Sequence, residues 1–441
     1  MSLTPSVPAA GSRPVKIAVK NVHKVFGANP GRAIAMLQGG ATKRSVQKEL
    51  GLAVGVADVT LDIREGETFV LMGLSGSGKS TLLRLLNRLH EPTSGTITID
   101  DIDITSLSRS ELLKVRREKF SGMVFQQFAI LPHRTVADNV AYGLEVQGLR
   151  ESQRRERSLR AIELVGLSGW ESHYPHQLSG GMQQRVGLAR ALAVDADVLL
   201  MDEAFSALDP LIRREMQDEL IELQARVNKT IVFVTHDLDE ALKLGDRIAI
   251  MNEARVVQVG TPEAVITAPA DAYVEAFVEG VDRTGILTAG AIMQPVKETA
   301  QLRDGPRTAL TKMRRSGLSG ILVVDAERRV RGYVTSQSII DSLSGSTTAS
   351  QQLDPSLLVQ ATTVVTDTPL IDVINLASEG SAPIAVIDAA GRLKGVVVKG
   401  AILAALAKPS ADQQALDDGR GRITGSSVSS MAAVEQGSEH V

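Results

Sequence analysis

Three short runs in the chain are apolar at nearly every position: Thr68 to Met72, Val198 to Asp202 and Ile231 to Thr235. Continuous rather than alternating apolar character is what a parallel strand covered on both faces requires. Each run ends in small or polar residues, and longer amphipathic stretches separate the runs. From about Lys16 to Asp282 this alternation of strand-like and helix-like segments predicts an α/β domain. In open sheets of that kind, ligands bind beyond the carboxyl ends of the strands. One stretch, Gly27 to Val54, is too long for a hairpin loop. Its pattern predicts two short helices, Arg32 to Leu37 and Lys43 to Leu50, broken at Gly39-Gly40.

From about Thr284 to Ala407 the pattern changes and repeats itself. Gly317, Asp325 and Gly332 recur as Gly380, Asp388 and Gly395 at one constant spacing, and apolar positions follow, Leu310 with Val373, Met313 with Leu376 and Val323 with Val386. Each copy reads as a helix, a strand, a turn, a second strand and a helix. Two such copies pack together because neither buries its apolar face well alone. The expected domains are therefore 16–283, then the two copies 284–346 and 347–407. Residues 1–15, rich in Pro, Ala and Ser, are expected to be a disordered leader, and residues 408–441, rich in Ser, Gly, Asp and Gln, a disordered tail.

Composition narrows the class. With 43% hydrophobic and 22% charged residues the 441-residue chain has the make-up of an ordinary globular protein. A formal net charge of −3 gives no reason to expect a nucleic-acid partner. The absence of cysteine excludes disulfides and thiol-ligated metals. No run reaches the roughly 18 apolar residues of a membrane-spanning helix, and the N-terminus lacks the basic-then-apolar order of a signal peptide. Any membrane association is expected to come through a partner.

The chemistry starts at the end of the first apolar run. Gly73-Leu74-Ser75-Gly76-Ser77-Gly78-Lys79-Ser80 matches the Walker A pattern, with a strand before it and a helix, Thr81 to Arg88, expected after it. Glycines let backbone N–H groups converge on phosphates, and the helix N-terminus adds its positive dipole end. Lys79 is expected to reach the phosphates and Ser80 to bind Mg²⁺. Val198 to Glu203 matches Walker B, an apolar strand with two carboxylates at its exit. Asp202 is the expected Mg²⁺ holder and Glu203 the group that polarises the attacking water. Up to this point any P-loop NTPase fits.

Leu178-Ser179-Gly180-Gly181-Met182-Gln183-Gln184-Arg185 resembles the signature of ABC ATPases, with Met182 where Gln is commonest, and an apparent helix runs from Met182 to Leu192. The resemblance implies a P-loop ABC ATPase fold with a parallel-sheet core and a helical subdomain, and a homodimer. In it Ser179, Gly180, Gly181 and Asp209 act on the ATP held by the opposite subunit. It also implies an ATP contact through Thr81, a Q-loop glutamine at Gln126 that joins the Mg²⁺ site (Gln127 is the competing choice), a D-loop at Ser206-Ala207-Leu208-Asp209, a switch histidine at His236 and an adenine-stacking aromatic at Phe26. Arg150 to Arg160, with alternating charge signs, reads as a solvated helix face without assigned function.

The likeness narrows to the ATP-binding subunits of bacterial glycine betaine/proline betaine importers. It is carried by the insert after Phe26, Val54-Gly55-Val56, Met72 to Thr81, Leu85 to Leu89, Phe128 to His133 and Met201 to Pro210. The C-terminal repeat resembles a tandem CBS pair of α+β type. The resemblance implies ATP and Mg²⁺ as cofactors, membrane-spanning permease subunits as partners and a substrate-binding protein acting through them. It implies peripheral attachment to the cytoplasmic side of the bacterial plasma membrane, with the segment from Gln126 to about Gln147 docking the permease. Choline, carnitine or proline stand as other solutes; a soluble ABC ATPase of repair or translation stands further off, since the chain has one Walker A and no sustained heptad run. The pair departs from the ribose-binding CBS pattern. Gly332 and Thr335 are present, but Ser338 stands at the Asp position, and Val398 and Ala401 replace both residues in the second copy. Three readings are open for it: ionic-strength sensing through Arg314, Arg315, Arg328 and Arg329, binding of a regulatory ligand such as a cyclic dinucleotide, or dimer contacts alone.

Overall fold

The three apolar runs become neighbouring strands, Thr68–Met72 beside Thr230–Thr235 beside Val198–Asp202, all parallel and buried at every position. The computed structural model describes residues 13–126, 129–281, 283–345, 352–380 and 382–406. Gln127, most of the expected leader and the expected tail lie outside them. The chain divides into two compact units, Met1–Leu287 and Thr288–Val441.

In the first unit those strands are the middle of a six-stranded sheet. Phe120–Phe125 flanks them on one side, and Arg247–Asn252 followed by the antiparallel Arg255–Gly260 on the other. Successive side chains point to opposite faces, and the core divides accordingly. Val70, Met72, Leu199, Met201 and Phe233 face a helical layer that includes Val136–Val146, Glu151–Leu164, Gly180–Ala193 and Pro210–Val227. Phe69, Leu71, Leu200, Val232 and Val234 face the helix Lys79–Leu86 and a second sheet. That sheet is antiparallel, ordered Ala53–Arg64, Val15–Phe26, Ser94–Ile99, Ile102–Asp103. Its first two strands carry register shifts, among them Val19/Val22 and Val22/Lys24. Such bulges break the polar–apolar alternation that marks a half-buried strand.

The long insert forms the two expected helices, Gly31–Gln38 and Lys43–Leu50. Thr42 caps the second, accepting from the Ser45 amide, and Gly51 ends it with φ 69°. Ala33, Leu37 and Val46 make a small core with Val25, Val54 and Ala254.

In the second unit each copy of the repeat has a three-stranded sheet. The strands are Thr299–Gln301, Gly320–Val324 and Val330–Thr335 in the first copy, and Thr363–Val365, Ile384–Ile387 and Leu393–Val397 in the second. The first strand of each was not expected. Register repeats with sequence: Val323 faces Gly332 and Val386 faces Gly395, and a bulge follows at the same place in both. The segment ahead of each copy pairs with the last strand of the other, Gln294 with Val396 and Val359 with Tyr333. This crossing explains the repeated glycine. A Cβ at Gly332 would lie 3.0 Å from the Val359 carbonyl oxygen, and one at Gly395 3.0 Å from that of Gln294. Leu322, Val324, Tyr333, Ala385 and Leu393 close a core shared by the copies.

Candidate functional site

Strand Thr68–Met72 delivers the chain into Gly73–Ser80 at the carboxyl edge of the six-stranded sheet. Gly73, Gly76 and Gly78 have φ of 148°, 77° and 107°, backbone that L side chains rarely adopt. Space excludes a side chain as well. A Cβ at Gly73 would lie 2.2 Å from the Met251 carbonyl oxygen, and one at Gly78 2.3 Å from that of Gly55. The helix begins at Lys79, two residues earlier than expected, so Lys79 and Ser80 occupy its first turn, whose amides lack intrahelical partners. Ser77 Oγ is buried without a hydrogen-bond partner, while Leu74, Ser75 and Gly76 are exposed along the outer bend. An orphaned hydroxyl and free amides in a glycine-built cradle suit an anionic ligand such as a polyphosphate.

Lys79 is buried, and its ammonium donates to the carbonyl oxygens of Gly73 (2.8 Å) and Leu74 (3.1 Å). Burial pulls its pKa below the ordinary lysine value, and the nearby carboxylates of Glu203 and Asp202 pull it back up. The neighbouring strand Val198–Asp202 brings Asp202 to Ser80, whose hydroxyl donates to Asp202 Oδ1 at 2.7 Å. Arg84 donates to the other carboxylate oxygen at 3.3 Å. Ser80 and Arg84 are four apart on one helix, hence on one face; that spacing was the signal for Arg84, which sequence reasoning passed over. Glu203 follows with φ 49°. This left-handed turn at a non-glycine residue costs on the order of 1 kcal/mol or more and takes the chain off the sheet. Its amide donates to Val234 O, and its carbonyl accepts from the Ser206 hydroxyl at 2.8 Å. His236, one residue past strand Thr230–Thr235, places Nδ1 3.5 Å from Glu203 Oε1. The structure thus gathers Lys79, Ser80, Asp202, Glu203 and His236 from three neighbouring strand ends.

Phe26 ends strand Val15–Phe26 partly exposed, meeting His90 edge-on at 5.5 Å between ring centroids, with the Lys24 ammonium 4.9 Å from its ring centre. Burial, then Arg84 and Lys24, hold the His90 pKa below the usual imidazole value. A Cβ at Gly55 would lie 2.8 Å from both Phe26 Cε2 and Thr81 Cγ2, so Gly55 is what lets the aromatic ring, Thr81 and Gly78 converge. A lone glycine inside a Val-rich strand signals such a close approach.

The signature residues lie elsewhere on the unit. Ser179 caps helix Gly180–Ala193, accepting from the Met182 amide at 3.3 Å, and both Ser179 and Gly180 are exposed. The helix starts two residues earlier than expected because that cap organises its first turn. A Cβ on Gly181 would meet Ile212 Cγ2 at 2.7 Å. The signature therefore sits against helix Pro210–Val227, which Asp209 precedes. Arg213 on that helix donates to the carbonyls of Ser206 and Leu208 and to Asp237, beside His236. Among the described residues no hydrogen bond or ion pair joins Ser179, Gly180 or Gly181 to Gly73–Ser80. Gln126 leaves strand Phe120–Phe125, which pairs Phe125 with Asp202, and is exposed.

Residues 56–206 match the ABC transporter family and residues 289–345 the CBS domain. The chain is 50% identical to the glycine betaine transport ATP-binding protein of Bacillus subtilis, over 90% of this chain and 93% of that one. It is 48% identical to the glycine betaine/carnitine transport ATP-binding protein of Listeria monocytogenes, over 89% and 97%. To the glycine betaine/proline betaine transport system ATP-binding protein of Escherichia coli it is 46% identical, over 89% and 98%.

Proposed function

The chain belongs to the family of glycine betaine/proline betaine ABC ATP-binding proteins, and on that premise we propose that it energises import of a quaternary-amine solute. It is an ATPase with an ABC domain and a CBS domain. The observation that carries the catalytic reading is the cluster of Lys79, Ser80, Asp202, Glu203 and His236 beneath the glycine-built loop.

In this reading ATP lays its phosphates in Gly73–Ser80, with Thr81 beyond and the adenine against Phe26. Loop amides and the Lys79 ammonium neutralise phosphate oxygens. Ser80 and Asp202, joined by Gln126, would hold Mg²⁺, which would supply charge neutralisation on the phosphates. A hydroxyl and a carboxylate are a hard-oxygen set of the kind that ion completes with phosphate oxygens and water. Glu203 takes the proton of a water whose oxygen bonds to the γ-phosphorus as the bond to the β–γ bridging oxygen breaks, giving ADP and phosphate. His236 orients Glu203 and donates to the γ-phosphate.

Ser179, Gly180, Gly181 and Asp209 serve the ATP of a second copy, so two chains work head to tail. Permease subunits hold the pair at the cytoplasmic face of the membrane and receive solute from a binding protein. Among the described residues no helix is long and apolar enough to cross a membrane. Expression of Glu203→Gln in place of the wild type tests the assignment. We expect ATP binding to persist, turnover to fall by about 10²–10⁴, and uptake of labelled glycine betaine to stop; wild-type turnover removes Glu203 from its role. Uptake unaffected by glycine betaine but competed by choline, carnitine or proline would reassign the solute.

The Thr288–Val441 unit is assigned to regulation. Arg329 and Arg392 meet at a bridge between the copies, and exposed pairs Arg331–Asp325 and Arg392–Asp388 flank it. Such pairs weaken as salt shortens the Debye length from about 10 Å at 0.1 M to about 3 Å at 1 M. Removing residues 288–441 should abolish the salt threshold of transport. An unchanged threshold removes the sensor reading and leaves a regulatory ligand or dimer contacts.

A further inference from the structure

We infer that the helical insert between residues 28 and 52 is part of the ATP site, with Lys43 as the positioning residue that fastens the Walker A loop at Gly76. The inference rests on the reading that ATP occupies that loop.

The three positive-φ glycines of the loop differ in support. Gly73 and Gly78 are wedged against the backbone of Met251 and Gly55, whereas nothing lies within 4 Å of a Cβ position at Gly76. The outer bend thus lacks packing, and the Lys43 ammonium holds it instead, donating to Gly76 O at 2.7 Å. Lys43 is the first residue of helix Lys43–Leu50, which has no acidic residue in its first turn. The helix dipole disfavours a cation there, so the sequence places this charge against local preference, and the loop carbonyl offsets the cost.

The insert is also anchored well enough to act as a clamp. Arg255 donates to Leu37 O at 2.9 Å, and Arg44 lies 3.6 Å from Glu253. The turn between these partners reaches the loop by a second route, the Ala254 amide donating to Ser77 O at 3.1 Å. The insert and this turn therefore hold Gly76 and Ser77 from two sides. Fixing the bend before ATP arrives removes part of the ordering cost of binding, and the ammonium adds positive potential near the phosphates. Both effects act equally on bound substrate and transition state, so they change KM and leave kcat.

The experiment is ATPase kinetics of the full chain carrying Lys43→Gln, Lys43→Arg or, as control, Lys79→Ala. We expect Lys43→Gln to raise KM for ATP about three- to five-fold, as loss of an exposed charged contact does, with kcat retained and the difference shrinking in high salt. Lys43→Arg should restore KM. Wild-type KM in Lys43→Gln overturns the inference, and so does an equal rise in Lys43→Arg, which would mark a merely structural disturbance. Lys79→Ala separates the two layers: if it binds ATP like wild type, the reading of the loop itself fails, whatever Lys43 does.

Discussion

Glu240 lies in the first turn of helix Leu238–Leu244, which follows His236, and its carboxyl is buried. Burial raises its pKa above the ordinary carboxylate value. Hydrogen bonds from Thr235 and Gln217 oppose the rise, Asp237 adds to it and Arg213 offsets it. A raised folded-state pKa means that folding favours the protonated form. The native state is therefore penalised at pH above that pKa, and the penalty vanishes below the unfolded value, near 4.5. Glu240→Gln keeps the shape and an oxygen for the Gln217 amide, which donates at 3.2 Å, and removes the buried charge. We expect it to raise the melting temperature at pH 7 by roughly 2–4 °C, what about 1 kcal/mol amounts to in a domain of this size, and the gain to shrink as pH falls towards 4.5. Melting curves between pH 8 and pH 5 check this; a gain that does not vary with pH would mean repacking rather than charge. The same neighbourhood shows what a sequence declares about single residues. Lys79, Ser80, Asp202, Glu203 and His236 were readable because each sits at a strand exit or in a fixed spacing. Arg84, His90 and Lys43 were not picked out as site residues, and Gly55 only as part of the family likeness, because their contacts join segments far apart in the chain.

Elements were legible in proportion to how fully a single face or pattern determines them. The strands Thr68–Met72 and Val198–Asp202 are buried at every residue, so their apolar runs stand out in the sequence. The insert helices were readable because Gly39-Gly40 and Gly51 punctuate a short amphipathic stretch. By contrast, the antiparallel sheet went unseen. Val15–Phe26 changes register more than once against Ala53–Arg64, and Ala53–Arg64 is buried at every position from Val54 to Ala57 before it alternates, so only part of the pair shows a period of two. The leading strands of the repeat, Thr299–Gln301 and Thr363–Val365, hold three residues each, too few to display any period. Their pairing partners lie beyond an intervening helix, which local patterning does not reach. Both helices start early, at Lys79 and at Gly180, so that Lys79 and Ser80 form the first turn of one and Ser179 caps the other.

At the scale of the whole molecule the proposed head-to-tail pair can be tested. Gly181 packs on Ile212, and Arg213 ties the Ser206–Leu208 segment to the residue beside His236. The signature helix is thus linked through Ile212 and Arg213 to the segment beside His236, yet Ser179 and Gly180 are exposed and, among the described residues, make no bond to residues 73–80. If this surface element serves catalysis, as proposed above, a symmetric pair in which each copy completes the other would satisfy it. Two crippled chains should then complement. Lys79→Ala lacks the loop but keeps the signature; Ser179→Arg lacks the signature but keeps the loop. In a mixed dimer one site inherits both defects and the other inherits neither. Each variant alone should have background ATPase activity, and an equimolar mixture allowed to assort at random should recover about one quarter of the wild-type sites, because half the dimers are mixed and each has one intact site. Titration of one variant into the other, read as ATPase rate, gives the result directly. A mixture no more active than its components would mean that the signature acts within its own chain, and the head-to-tail arrangement would have to be abandoned.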